Sequence, residues 1–363
     1  MNRSMTALRV LLVSLCVTAT ASPVEYVRTV TAARNLTVEE ARALEERLAA
    51  DAKDQGIRSQ LVIYHHRHGF GDPSSRAAHT GHVLWLIRHA PEAGILGTPY
   101  GQIDAYSDAE GYIAGKDAWA SHLQREPTNL KFLGHAASFY SPFQDRDMLI
   151  ETLEKVHLLD PGNPVWPMQL GHLYLRDTAS AARASTRIHS PDGLERRSVD
   201  QTALAHRALE YLRRAHELAG SDPMRVFLLD GLAEAAFRAG QYGDARTYAE
   251  AMLTAPPKST SRNDESHIHK ANIVLGRLAL VEDDVANAKH HLLAAGRVSG
   301  APTLGSFGPN MRLAKDLLER GERDVVLEYF ELCANFWSSD KLEDWAALVR
   351  GGRTPDFGAN LVY

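Results

Sequence analysis

The 363-residue sequence predicts an all-α chain built from antiparallel helix pairs. Three observations carry that expectation. From about residue 37 onward the apolar residues recur with a helical period rather than an alternating one. A Leu followed by Gly or Ala recurs at Leu133-Gly134, Leu170-Gly171, Leu232-Ala233, Leu275-Gly276 and Leu313-Ala314. Thirteen residues after each of the last three leucines stands Ala245, Ala288 or Val326; Ala249, Leu292 and Phe330 follow four residues later, and Met252, Ala295 and Cys333 three after those. One spacing held over three units implies one helix pair repeated. The small residues let two backbones approach, and the leucines and aromatics fill the space that remains.

The first 22 residues read as a secretory signal. Arg3 and Arg9 make a basic start, Val10 to Ala19 an apolar stretch, and Ala19-Thr20-Ala21 a small-residue cleavage site, with cleavage expected after Ala21. Ten helical residues rise about 15 Å, half a bilayer's hydrocarbon thickness, so the segment is too short to span. Export to a periplasm or to the medium follows as the expected location. Leu15, bulky where a lipidation site needs a small residue, argues against a lipid on Cys16. The mature chain then keeps Cys333 alone, which cannot form an internal disulfide, so burial must hold the fold. Asn35-Leu36-Thr37 matches a glycosylation acceptor, a tripeptide common by chance.

Residues 22–128 read as a helical region with degenerate repeats. Thr37 and Glu40 form a capping-box signature, Val38, Ala41, Leu44 and Leu48 share one face, and this helix is expected to end near Gly56. Two poorly fitting units lie around Leu61 to Pro91 and Gly111 to Pro127, and Gly94 to Ser107 reads as a loop replacing a helix. Residues 129–336 carry the clear repeats. The best runs from Val226 to about Ser259: Gly240-Gln241-Tyr242 turns the chain, Gly240 stands where a helix end favours positive φ, and Pro257 stops the second helix. Asp177 to Asp200 reads as an insertion and Ser259 to Glu265 as a polar linker. In 337–363, Lys341 to Arg350 offers a closing helix with Leu342, Trp345 and Leu348 on one side, above Phe336 and Trp337. Gly351-Gly352 ends it, and the apolar tail from Pro355 to Tyr363 is expected to dock.

These segments resemble tetratricopeptide repeats, a 34-residue helix–turn–helix family. Trp166, Leu170, Gly171 and Tyr174 match the family's first helix; Ala208, Leu212 and Ala215 match its second. Asp160-Pro161-Gly162-Asn163-Pro164 resembles the junction between repeats, and Leu313, Gly321, Phe330 and Cys333 keep phase in the last one. The resemblance covers about residues 129–336. It implies a right-handed superhelical solenoid closed by a C-terminal capping helix, with a concave groove that binds a protein or peptide and does no chemistry.

Composition limits the partners. A net charge of −5 and a pI near 6.4 leave no basic excess for nucleic acid. No apolar stretch after the signal approaches 18 residues, so no stable membrane insertion of the mature chain is expected. Counted from the Leu-Gly phase, the groove-facing places fall at Lys131 and His135, then Met168, His172 and Arg176, then Asp230, Glu234 and Arg238, then Ile273 and Arg277, then Met311 and Lys315. The candidate binding residues are His172, Arg176, Glu234, Arg238, Arg277 and Lys315. Chaperone-binding repeats clamp a terminal carboxylate with Lys, Asn and Arg, and here the Asn residues are absent. Arg238, Arg277 and Lys315 instead offer charge-assisted bonds to an acidic segment.

The competing enzymatic reading is a phosphate-handling hydrolase. Arg67-His68-Gly69, after the apolar run Leu61 to Tyr64, resembles the phosphohistidine motif, in which a strand delivers a nucleophilic His beside an Arg. Arg88-His89-Ala90 is a second near match, but Gly71 stands where the motif has another Arg, and the following chain lacks strand–helix alternation. A structural assembly factor of the cell envelope is the remaining alternative. Gly111 to Asp117 has three residues between its glycines and an Asp where a phosphate loop needs Ser or Thr. Among 17 histidines, His65, His66 and His68 cluster, His79 and His82 lie three apart, and His267, His269, His290 and His291 flank one unit. With no His-Glu-x-x-His and no Cys pair, surface or locally hydrogen-bonded histidines are expected, with no metal, cofactor or catalytic residue.

Overall fold

The computed structural model describes residues 30–140, 144–187, 200–255 and 264–361. The signal segment, Cys16, Pro257, residues 188–199 and 259–263, and the last two residues lie outside the described residues. The fold is all-α, with no strand among the described residues and helices packed in neighbouring pairs. No helix among them is long and apolar enough to cross a membrane. The chain divides into two compact units, Met1–Trp166 and Pro167–Tyr363.

In the first unit, α1 (Val38–Ala50), α2 (Gln55–His68) and α3 (Pro73–His89) pack in sequence order. Thr37 and Glu40 form the expected capping box on α1. That helix stops at Ala50, short of Gly56, because the Asp54 carboxylate accepts from Ile57 N and starts α2 there. Asp72 caps α3, with Pro73 in the first turn where its missing N–H costs nothing. The segment expected as a loop holds two short 3₁₀ turns, Gly94–Gly97 and Pro99–Gly101. Then come α4 (Ala109–Arg125), α5 (Leu130–Phe139) and α6 (Arg146–Leu159). Trp166 closes this unit: its indole N–H donates to Asp160 at 3.0 Å, and its ring lies over Gly134, where a Cβ would come within 3.0 Å.

The second unit holds α7 (Val165–Arg187, beginning just before it), α8 (Gln201–Leu218), α9 (Asp222–Arg238), α10 (Tyr242–Thr254), α11 (Asp264–Val281) and α12 (Val285–Gly296). A short α13 (Pro302–Phe307) precedes α14 (Arg312–Glu319), α15 (Arg323–Ala334) and α16 (Lys341–Arg350). The start of the 177–200 segment simply continues α7 as helix. Each phased position is buried: Leu232, Leu275 and Leu313; Ala245, Ala288 and Val326; Ala249, Leu292 and Phe330; Met252, Ala295 and Cys333. The contacts follow the same phase. Beyond chain neighbours, α9 packs on α11, α11 on α14, and α12 on α15. Gly171 shows why a small residue is required, since an added Cβ would sit 2.6 Å from Leu212 Cγ on α8. Gly240 turns the chain after α9 at φ +73°, which an L side chain rarely adopts.

Helix α16 packs on α15, and Leu342, Trp345, Ala346 and Val349 join one apolar cluster with Phe330, Trp337 and Phe357. The tail docks as expected. Asn360 O accepts from Met311 N at 2.9 Å, and Asn360 Nδ2 donates to the carbonyls of Pro309 and Phe307 at 2.9 and 3.2 Å. Cys333 is a buried free thiol, and burial pushes its pKa far above the ordinary thiol value.

Candidate functional site

Of the expected groove positions in the second unit, Met168, Ile273 and Met311 are buried instead, because their apolar side chains join the core. His172, Asp230, Glu234, Arg238, Arg277 and Lys315 carry the polar groups on α7, α9, α11 and α14. Asp230 on α9 is ion-paired to Lys270 on α11 at 2.5 Å. His172 on α7 lies against Gly231, and its ring stands 6.2 Å from that of Phe227. Burial favours protonation of Asp230, but Lys270, then His172 and His267, outweigh it and hold the carboxyl at about 2.

One turn along α9, Glu234 accepts from both Arg238 and Arg312. Burial alone would raise its pKa; the guanidinium groups of Arg312, Arg238 and Arg277 prevail and keep it well below the carboxylate range. Arg312 is lowered by burial to about 10 and stays charged at neutral pH. Arg238 also donates to Thr178 Oγ1 at 2.7 Å, Arg277 to Asp316 at 2.8 Å while its guanidinium lies 4.2 Å over the Phe237 ring, and Lys315 pairs with Glu319. Arg176 is half-buried on α7.

Arg238, Arg277 and Lys315, the expected contacts for an acidic segment, each have an ion-pair partner within the chain: Glu234, Asp316 and Glu319. The Arg238 and Arg277 pairs are largely buried and offset the cost of desolvating the guanidinium groups, whereas Lys315 and Glu319 pair at the surface. Gln169 Nε2 and His172 Nε2, three residues apart on α7, are buried without a hydrogen-bond partner among the described residues. Sequence reasoning found His172 by phase and missed Lys270, Arg312 and Asp316, because their roles depend on partners tens of residues away. It missed Gln169 because the position stands one residue off the phase.

The phosphohistidine resemblance meets a helix. Leu61 to Tyr64, which that motif would need as a strand, lies inside α2, as the helical reading of residues 22–128 expects. His68 Nδ1 contacts the Tyr64 carbonyl at 2.8 Å, and Arg67 donates to the Arg34 carbonyl at 2.5 Å, so each is engaged by backbone. Lys116 of the Gly111 to Asp117 segment sits in α4 and pairs with Asp145 at 2.8 Å.

Several histidines are structural. His79 contacts the Tyr100 carbonyl, His122 the Ile87 carbonyl and His135 the Pro91 carbonyl. His269 is saturated: Nδ1–H donates to Ala295 O at 2.9 Å, and Nε2 accepts from Asn310 N at 3.0 Å. Burial lowers its pKa to about 4. The unfolded chain therefore binds this proton first as pH falls, so the stability His269 contributes at pH 7 is lost from about pH 6.5 down towards 4. The expected loss between pH 7 and 5 is about 2 kcal/mol for this residue; ring nitrogen chemical shifts showing neutral His269 at pH 5, with a lower urea midpoint there, are the check.

The chain matches no family model, and no curated protein matches it significantly.

Proposed function

We propose that this is an exported tetratricopeptide-like repeat protein that binds another protein or peptide on the α7–α9–α11–α14 face and catalyses nothing. The repeat reading is supported by the buried phase positions, by the packing of α9 on α11 and α11 on α14, and by the close approach at Gly171. Export rests on the amino-terminal signal pattern, and α16 with the docked tail serves as the cap a stack of helix pairs needs.

The observation that carries the binding role is the pair of partnerless polar groups Gln169 Nε2 and His172 Nε2 beside a fully paired ionic row. Buried polar groups without partners are costly, so the Gln169 and His172 side chains gain by turning outward to meet a ligand's polar groups. The ion pairs hold the face in shape beforehand, which limits the entropy lost on docking. The ligand is thus a segment read mainly through its neutral polar groups.

The test is co-purification from an envelope extract with wild type and a Gln169→Leu/His172→Leu variant of unchanged helical circular dichroism. A partner recovered by wild type and lost by the variant is expected. A partner retained by the variant would move binding elsewhere on the chain. Reversing Arg238 or Arg277 is a poor probe, because it breaks internal pairs with Glu234 or Asp316.

A further inference from the structure

We propose that Glu45, His65 and His82 form a binding site for a divalent transition cation of the zinc type, pinning α1, α2 and α3 together. Glu45 projects from α1, His65 from α2 and His82 from α3. Glu45 Oε1 lies 3.0 Å from His65 Nε2 and 2.9 Å from His82 Nε2, and the three ligand atoms fall within 4.8 Å of one another. The His65 and His82 rings stack with centroids 5.7 Å apart. Their side chains are 12% and 10% exposed, whereas Glu45 is 39% exposed, so the carboxylate side opens to solvent.

Two imidazoles and one carboxylate are a donor set that suits zinc, cobalt or nickel, and three protein ligands leave a coordination position for water. Zinc bonds of about 2.0–2.1 Å in a tetrahedral arrangement place ligand atoms about 3.3 Å apart. The two Glu45 contacts, at 3.0 and 2.9 Å, need to open by only a few tenths of an ångström, and the two imidazole nitrogens, within 4.8 Å of each other, adjust with them.

The surroundings decide how tightly such a site binds. Arg58 Nη1 stands 3.2 Å from His82 Nδ1. Arginine can only donate, so Nδ1 accepts and the ring carries its proton on Nε2, donated to Glu45. A cation needs the Nε2 lone pair, and the proton must then move to Nδ1, where it faces Arg58. No net proton is released, but the Arg58–His82 bond is lost and a cation settles near a guanidinium. His65 must change tautomer as well, and its Nδ1, buried without a partner among the described residues, then carries an unpaired N–H that lowers affinity further. Arg58 is itself fixed, with Nη2 donating to Ala52 O at 2.8 Å and its guanidinium 3.9 Å over the Trp85 ring. It therefore acts as a brake on affinity.

Untagged, chelator-treated full chain titrated calorimetrically with Zn²⁺, and followed by absorbance with Co²⁺, tests the assignment. One site per chain is expected. Glu45→Gln and His65→Asn should each weaken it by about tenfold or more, whereas Arg58→Met, which keeps an apolar stem on Trp85 but removes the donor, should tighten it by about tenfold. Glu45→Gln retains a hydrogen-bond acceptor for both rings, so it serves even where a histidine variant fails to fold. Absence of binding at millimolar Zn²⁺, or wild-type affinity in Glu45→Gln, overturns the site. An unchanged affinity in Arg58→Met overturns the His82 geometry on which it rests.

Discussion

Glu234→Ala is expected to destabilise the second unit by about 3–5 kcal/mol, the range seen when one partner of a buried ion pair is removed. Glu234 is 14% exposed and serves Arg238 and Arg312 at once, with Arg277 close enough to lower its pKa. Truncation leaves two guanidinium groups without the carboxylate that offsets their desolvation. For a unit of roughly 200 residues the melting temperature should fall by about 6–20 °C. A Glu234→Ala/Arg312→Met double variant should recover part of that loss, because it removes a stranded charge along with its partner. Calorimetric scans of the three proteins decide the matter: a fall of under a degree or two in Glu234→Ala would mean the cluster contributes little.

Phe357→Ala is expected to cost about 3–5 kcal/mol, the range for truncating a buried phenylalanine. Phe357 is 2% exposed, and its ring centroid lies 5.0 Å from Trp345 and 6.2 Å from Phe330. Its loss should release the tail to protease and red-shift tryptophan emission from Trp337 and Trp345. The tail is also tied to the ionic row, since Arg312 Nε donates to Leu361 O at 2.6 Å while the same guanidinium meets Glu234. The two substitutions should therefore be non-additive by about 0.5 kcal/mol or more in a double-mutant cycle. Strict additivity would separate the tail from the row.

The parts of the fold legible beforehand are those set by local rules. The capping box at Thr37, the positive φ at Gly240 and the burial of Leu232, Ala245, Leu275 and Ala288 all follow from spacing, side-chain volume and backbone freedom within a few turns. Errors arose where two local signals competed. Gly56 looked like a helix end, but Asp54 offers a stronger start for the next helix, so the glycine lies in its first turn. Leu61 to Tyr64, by contrast, keeps the helical period read for residues 22–128 and lies in α2.

The candidate sites were legible only in part. Phase put His172, Glu234, Arg238 and Arg277 on one face, yet it could not say that Arg238 and Arg277 already had partners. The histidines at 79 and 82 drew attention as a pair three residues apart. Tertiary packing separates them, giving His79 to the Tyr100 carbonyl and His82 to Glu45, a residue 37 positions away.

By itself the sequence determined that this chain is helical, where its helix pairs lie and which small residues meet at their crossings, because those properties depend on neighbours within a turn or two. Tertiary structure alone decided which charges cancel, which polar atoms stay unpartnered and which histidines converge on Glu45. Such pairings join atoms far apart along the chain, and burial, by excluding water, makes each one consequential.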